Sequence, residues 1–209
     1  MEYKNVKKEF YMHVSIVLDH PYTLESSKNV PHKRSYCAAL AVNVIDTLKA
    51  QNHTVDVIDL QADKYDPVIT KEGLTNWRTK EYVDEQSQNY LLRLKKADEI
   101  IFIFPVWWEV MPAMLKGFID KVFCKGQVKK IAGQRQILNL KTKIRVLAVI
   151  GTPNIIYRLH YRNPLGNMLK RGVFGKLGLK DFKITYFNAE DQTERKRLWT
   201  LKKVGKYIL

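Results

Sequence analysis

The sequence predicts an α/β protein built on a doubly wound, five-stranded parallel sheet with strand order 2-1-3-4-5. Three observations lead there. Apolar, β-branched runs alternate along the chain with segments whose apolar residues recur every three or four positions, the signature of strands taking turns with helices. The run Glu99-Ile100-Ile101-Phe102-Ile103-Phe104 is apolar on both sides, as a central parallel strand covered on both faces requires. Several of the strand-like runs stop at Pro or Gly, residues that end an element and open a turn.

His13-Val14-Ser15-Ile16-Val17-Leu18-Asp19 reads as the first strand, closed by His20-Pro21. From about Ser35 to Asn52, residues Leu40, Ala41, Val44, Ile45 and Leu48 fall on one helical face. Val55 to Leu60 alternates like a strand with one less buried side. A loop containing Asp66-Pro67 and Gly73 follows, then a polar helix ending near Ala97. Pro105 closes the third strand, and Ala113, Met114, Leu115, Phe118, Ile119 and Val122 mark the next helix. Ile144 to Ile150 is the fourth strand, stopped by Gly151-Thr152-Pro153, and Phe182 to Phe187 the fifth; a terminal helix starts near Thr193. The chain reads as one domain over 1–209, with an N-terminal extension at 1–12. Residues 125–142 are basic and rich in Gly and Gln. They are longer than a plain connection of about two to six residues, and read as an insertion over the sheet's edge or the rim of the site.

The two cysteines, Cys37 and Cys124, are too few for a disulfide framework and lack metal-ligand spacing, so no metal is expected. No apolar run approaches the ~18 residues of a membrane span, and the charged start has no signal core. A cytoplasmic location is the expectation. The formal net charge of +15 is unevenly placed. Residues 1–120 hold 15 bases and 17 acids; 121–145 hold eight bases and no acid; 146–209 hold 13 bases and four acids. Without a helix-turn-helix, zinc-finger or RNP-type pattern, nucleic acid is not the expected partner. Attraction for anionic substrates, cofactors or partners, or plain solubility, accounts for the charge.

In such a sheet a ligand binds beyond the carboxyl ends of the strands, where strand order reverses. The turns after strands one, three and four are the unusual stretches of this chain. The first runs from Asp19-His20-Pro21 to His32-Lys33-Arg34-Ser35-Tyr36, ending at a helix N-terminus that suits a phosphate, although Ser35 also reads as a plain N-cap. It lacks the G-x-G-x-x-G of a Rossmann nicotinamide site. The second, Pro105-Val106-Trp107-Trp108-Glu109-Val110-Met111-Pro112, is a stiff aromatic corner able to border a flat ring; core or interface tryptophans are the plainer reading. The third, Gly151-Thr152-Pro153-Asn154, with Tyr157 and His160 after it, lets backbone approach a ring, or is an ordinary turn.

The stretch Ala97 to Trp108, continuing through Pro112-Ala113-Met114-Leu115-Lys116-Gly117-Phe118-Ile119-Asp120-Lys121-Val122-Phe123, resembles the NAD(P)H-dependent quinone reductases of the flavodoxin-like fold, including the potassium-efflux ancillary oxidoreductases. His20-Pro21 and Asp66-Pro67-Val68-Ile69 match in their expected places. The resemblance implies a flavin, FMN or FAD, and NADH or NADPH as co-substrate. It implies that nicotinamide gives a hydride to the flavin and that a small electron acceptor then takes its place. His20 and the Ser35-Tyr36-Cys37 turn would hold the flavin phosphate; Pro105, Val106, Trp107 and Trp108 would border its ring, with Trp108 also a substrate wall. Gly151, Thr152 and Pro153 would contact its pyrimidine side, and Tyr157 stands where some members place a tyrosine that assists hydride transfer. The family commonly pairs two subunits over the site, so a homodimer is expected. Tyr22 to Arg34 exceeds the usual spacing, and Ser26 with Asn29 fits a shorter phosphate-loop register as well as Ser35 fits the longer one. Thr152-Pro153 stands where a Gly-Gly pair is common. The same resemblance admits an azo- or nitroreductase, and a flavin-binding regulatory subunit of an ion-efflux system docking through its basic C-terminal half.

Overall fold

A computed structural model describes residues 11–28, 34–80, 82–131, 133–189 and 192–208. The strands in chain order are β1 (His13–Leu18), β2 (Thr54–Asp59), β3 (Glu99–Pro105), β4 (Lys129–Ile131), β5 (Gln134–Gln136), β6 (Lys143–Ile150) and β7 (Phe182–Asn188). The helices are α1 (Tyr36–Ala50), α2 (Lys71–Thr79), α3 (Glu85–Leu94), α4 (Ala113–Val122), α5 (Asn154–Leu159), α6 (Pro164–Asn167) and α7 (Glu194–Lys202). β2, β1, β3, β6 and β7 form one all-parallel sheet in that order, the expected 2-1-3-4-5 among sheet strands.

Side chains that alternate along each strand divide between two cores, as the period of two demands. Val14, Ile16, Leu18, Ile101, Ile103 and Leu147 pack with Leu40, Ala41, Val44 and Leu48 of α1 and with Val204 and Ile208 near the C-terminus. Val17, Ile100, Phe102, Phe104, Val146 and Ala148 face the other way, onto Leu91, Leu115, Phe118, Leu165 and Phe174. Helices therefore cover both faces, and β3 is buried along its whole length.

Three local readings change. The polar segment after β2 holds two helices, because Thr70 and Asp84 each cap a new start: Gly73 N–H donates to Thr70 Oγ1 (3.0 Å) and Ser87 N–H to Asp84 Oδ1 (2.8 Å). Gly73 thus lies inside α2. Residues 154–174, to which the sequence reading assigns no element, form α5, α6 and a π-helical stretch over Met168–Phe174 that makes the crossover to β7. The basic segment 125–142 contains the antiparallel pair β4–β5. It packs at the amino ends of the sheet strands, where Thr142 Oγ1 donates to Ala97 O (3.1 Å) and Lys95 Nζ to Gln127 Oε1 (3.2 Å). That is the end of the sheet opposite the three turns, not the rim of the site.

Candidate functional site

Strand register brings the three turns to one edge. Leu18 lies beside Ile103, and Pro105 beside Val149, so His20, Val106 and Gly151 leave the sheet on neighbouring strands. With strands about 4.8 Å apart, the span from β1 to β6 is roughly 10 Å, the scale of one planar fused-ring ligand.

The first turn is organised by two carboxylates. Asp19 is 3% exposed and its Oδ2 accepts from Leu115 N–H (2.8 Å), capping α4 from 96 residues away. The helix position before Ala113 is Pro112, which has no side chain able to cap. Asp59 accepts from Leu24 N–H (2.9 Å) and Ala62 N–H (3.1 Å), fixing the loop that follows β1. Burial, with a lesser push from Asp59 against the Leu115 hydrogen bond, raises the Asp19 carboxyl to about 6. Burial likewise raises Glu99 to about 7, against the attraction of Arg145 and Lys143. A carboxyl that titrates higher folded than unfolded binds extra protons in the native state, so its stabilisation holds at low pH and is lost as pH rises through the folded value. The contribution of these two carboxyls is therefore expected to fall between about pH 4 and 7, and Asp19→Asn to melt higher than wild type at pH 8. The gain is on the order of 2 kcal/mol, disappearing near pH 4; thermal melts of both proteins across that range check it.

His20 Nδ1 accepts from Tyr22 N–H (2.9 Å), and burial holds the imidazole below its usual value. The ring is then neutral at pH 7 with its proton on Nε2, a donor suited to an anion. The two phosphate-loop registers meet in space: Ser35 N–H donates to Ser26 O (2.9 Å). Neither hydroxyl is uncommitted, since Ser26 Oγ donates to Thr23 O (2.7 Å) and Ser35 Oγ accepts from Ala38 N–H (3.2 Å) as the N-cap of α1. Cys37 is 2% exposed and faces the core, so its thiol is not a ligand group, and burial pushes that thiol well above its usual range. Tyr36 is half-buried against Thr200 and Tyr207. What the Ser35–Cys37 turn offers an anion is backbone: the N–H groups of Tyr36 and Cys37, which in a first helical turn have no intrahelical acceptor. Asn29, His32 and Lys33 lie outside the described residues.

The second turn is strained. Trp107 and Val110 exchange backbone hydrogen bonds (3.0 and 3.1 Å) around Trp108 (φ 49°) and Glu109 (φ 65°). Two successive left-handed residues make a type I′ turn, which Asn and Gly normally supply. For an ordinary side chain each costs roughly 1–2 kcal/mol. The turn lifts Trp108 until it is 97% exposed. It is held from behind by the third turn: Thr152 Oγ1 donates to Glu109 Oε1 (3.1 Å) and Tyr157 Oη to Glu109 O (2.8 Å). Val106 N–H donates to Val149 O (2.7 Å), and Asn188 Nδ2 to Gly151 O (3.1 Å).

Tyr157, expected at the reacting centre, is fully buried, with its hydroxyl spent on Glu109 and accepting from Leu165 N–H (3.4 Å). It braces the turn that presents Trp108. Tyr157→Phe leaves the Glu109 carbonyl without its donor, and is expected to destabilise the protein by about 1–2 kcal/mol while lowering turnover; chemical denaturation and steady-state kinetics on one preparation check both. Asp19 and Glu109 were missed as site residues. The signal for Asp19 was a carboxylate ending an apolar run just before His-Pro; for Glu109 there was none, because its role comes from backbone conformation.

An open parallel sheet in the order 2-1-3-4-5 with helices on both faces defines a doubly wound protein of the flavodoxin type. The chain belongs to the flavodoxin-like fold family, whose model (Flavodoxin_2) matches residues 12–206. It is 33% identical over 132 residues to the ribosyldihydronicotinamide dehydrogenase [quinone] of Pongo abelii, an alignment covering 56% of this chain and 57% of that protein. It is 28% identical over 159 residues to the uncharacterized NAD(P)H oxidoreductase YcaK of Escherichia coli (strain K12), covering 75% of this chain and 78% of the relative. Its fold is similar to that of an FMN-dependent NADH-azoreductase from Bacillus anthracis str. Ames Ancestor solved with FMN, with a TM-score of 0.70 at 19% identity over 93% of this chain and 96% of that one.

Proposed function

We propose that the chain is a flavin-dependent oxidoreductase that passes a hydride from NADH or NADPH to a quinone or similar small electrophile. The observation that carries this reading is the meeting, at one sheet edge, of a helix N-terminus beside a neutral His20 with a braced turn presenting an exposed indole. A bound flavin supplies the two-electron chemistry. The N–H groups of Tyr36 and Cys37 and the Nε2–H of His20 suit its phosphate. Backbone of Pro105, Val106 and Trp107 on one side, and of Gly151, Thr152 and Pro153 on the other, suits the edges of its ring. Trp108 then offers a flat wall against which nicotinamide and acceptor lie in turn.

The names of the orangutan and Escherichia coli relatives support the donor and acceptor classes. The Bacillus neighbour makes FMN the first flavin to test and an azo compound the second acceptor. Val110, Ile155, Ile156, Leu159 and Tyr161 are exposed on or near the same turns, more apolar display than a lone subunit needs. A second copy seated there would cover the three turns, and the working assembly is a homodimer in the cytoplasm.

The test is NADH and NADPH oxidation by protein supplied with FMN or FAD, using a soluble naphthoquinone and an azo dye as acceptors. Protein-dependent oxidation with the quinone is expected, together with a smaller or equal rate on the dye. Rates no higher than those of free flavin, with both nucleotides and both acceptors, would contradict the reading.

A further inference from the structure

The terminal helix α7 contributes no buried residue to the fold, although it caps well: Thr193 Oγ1 accepts from Lys196 N–H (3.4 Å). Its inner side is made by Arg197, Thr200 and Leu201, half-buried against α1, with Arg197 Nη1 donating to Ala189 O (3.3 Å). The outer side is unusual. Arg195, Leu198, Trp199 and Lys202 stand at positions i, i+3, i+4 and i+7, one stripe along the helix. Leu198 is 52% exposed and Trp199 51%. Lys196 and Lys203 flank the stripe and Lys206 lies just beyond it; Nζ of Lys203 and of Lys206 sit 4.2 and 5.3 Å from the Trp199 ring centre. Within 193–208 the sole acid is Glu194, and no ion pair among the described residues engages these cations.

We infer that this outer face of α7 is a docking surface for anionic phospholipid bilayers, with Trp199 and Leu198 entering the headgroup layer and Arg195, Lys196, Lys202, Lys203 and Lys206 binding the lipid phosphates. Charge complementarity selects an anionic partner, and the apolar pair at the centre of the basic stripe selects lipid among anions. Indole rings favour the membrane–water boundary, and lysine stems run along apolar surface while their ammonium groups reach phosphate. A nucleic-acid surface would use the same bases but gains nothing from an exposed leucine. A second copy of the chain would bring this stripe against like charge. A protein partner needs about 800 Å² per side, more apolar area than two side chains give. The stripe lies on the side of α7 away from Thr200, which meets Tyr36 of the first turn.

The experiment is sedimentation of the full chain with vesicles of phosphatidylcholine alone and of phosphatidylcholine with phosphatidylglycerol, in low and high salt. Because a chain of net charge +15 meets any anionic vesicle with some attraction, the decisive comparison is among variants. Binding to the phosphatidylglycerol vesicles is expected, absent from phosphatidylcholine and weakened by salt. Trp199→Ser should weaken it about tenfold, and Arg195→Glu or Lys202→Glu more than fivefold each. Lys129→Glu, on β4 beside Lys95 and on the opposite face of the sheet from α7, should change it less than twofold. All four positions are exposed, and unchanged melting temperatures confirm intact folds. The inference is overturned if anionic vesicles are not bound, or if Trp199→Ser binds them as wild type does. It is equally overturned if Lys129→Glu matters as much as Lys202→Glu, or if duplex DNA is bound as tightly with Trp199→Ser making no difference.

Discussion

Replacing Trp108 by glycine is expected to raise the melting temperature while lowering kcat/KM for the acceptor about tenfold or more. The two effects come from one conformation. Trp108 sits at φ 49° with its side chain almost wholly in solvent, so removing the indole gives up little buried surface and relieves a left-handed residue. Relief of about 1 kcal/mol moves the midpoint up by roughly 2–4 °C in a chain of this size. Loss of a stacking wall worth about 1.5 kcal/mol is a tenfold change in rate. Strain kept at a site is a common sign of a residue retained for function at some cost in stability. Differential scanning fluorimetry and steady-state kinetics on the same preparation check it. A variant that melts lower, or that keeps full kcat/KM, would mean that Trp108 is held for another reason.

Gly117→Ala is expected to destabilise the fold by about 2 kcal/mol, with a fall of roughly 4–8 °C in the melting temperature. A methyl group on Gly117 would lie 2.3 Å from the carbonyl oxygen of Pro67 and 2.6 Å from its Cα. That neighbour is backbone and cannot rotate away. Alanine would otherwise favour the helix by about 1 kcal/mol, so the net loss is the clash less that gain and understates the clash. The Asp66–Ile69 loop must then move off α4, and with it the bond from Lys121 Nζ to Asp66 O (2.6 Å). Lys121 is buried and also pairs with Asp84 (2.8 Å), which caps α3. Urea denaturation, compared with the Lys116→Gly and Lys116→Ala pair at that exposed position of α4, separates the clash from helix propensity.

The fold was legible because its determinants are local and apolar. Ile100, Ile101, Phe102 and Ile103 have no reading other than a strand covered on both sides, and Leu40, Val44 and Leu48 recur at the helical period. What escaped depended on hydrogen bonds or on backbone shape. Thr70 and Asp84 divide one polar segment into two helices, and neither stands before an apolar face strong enough to announce a start. Ser26 and Ser35 looked like rival phosphate-loop registers; the chain folds so that one donates its N–H to the other's carbonyl. Trp108 and Glu109 carry none of the Gly or Asn chemistry that marks a type I′ turn, so their left-handed pair was invisible. Tyr157 donates to the Glu109 carbonyl, a partner its place in the chain does not announce, since a sequence does not tell which way a hydroxyl faces.

The central claim is that the turns after β1, β3 and β6 together hold one flavin per chain. Gel filtration of the protein after incubation with FMN, and separately with FAD, followed by anaerobic addition of NADH or NADPH, tests it directly. The account predicts about one flavin carried with each chain, quenched tryptophan emission from the neighbouring Trp107 and Trp108, and bleaching of the yellow band by at least one nucleotide. A folded protein that emerges colourless from both incubations, with tryptophan emission unchanged, would contradict it.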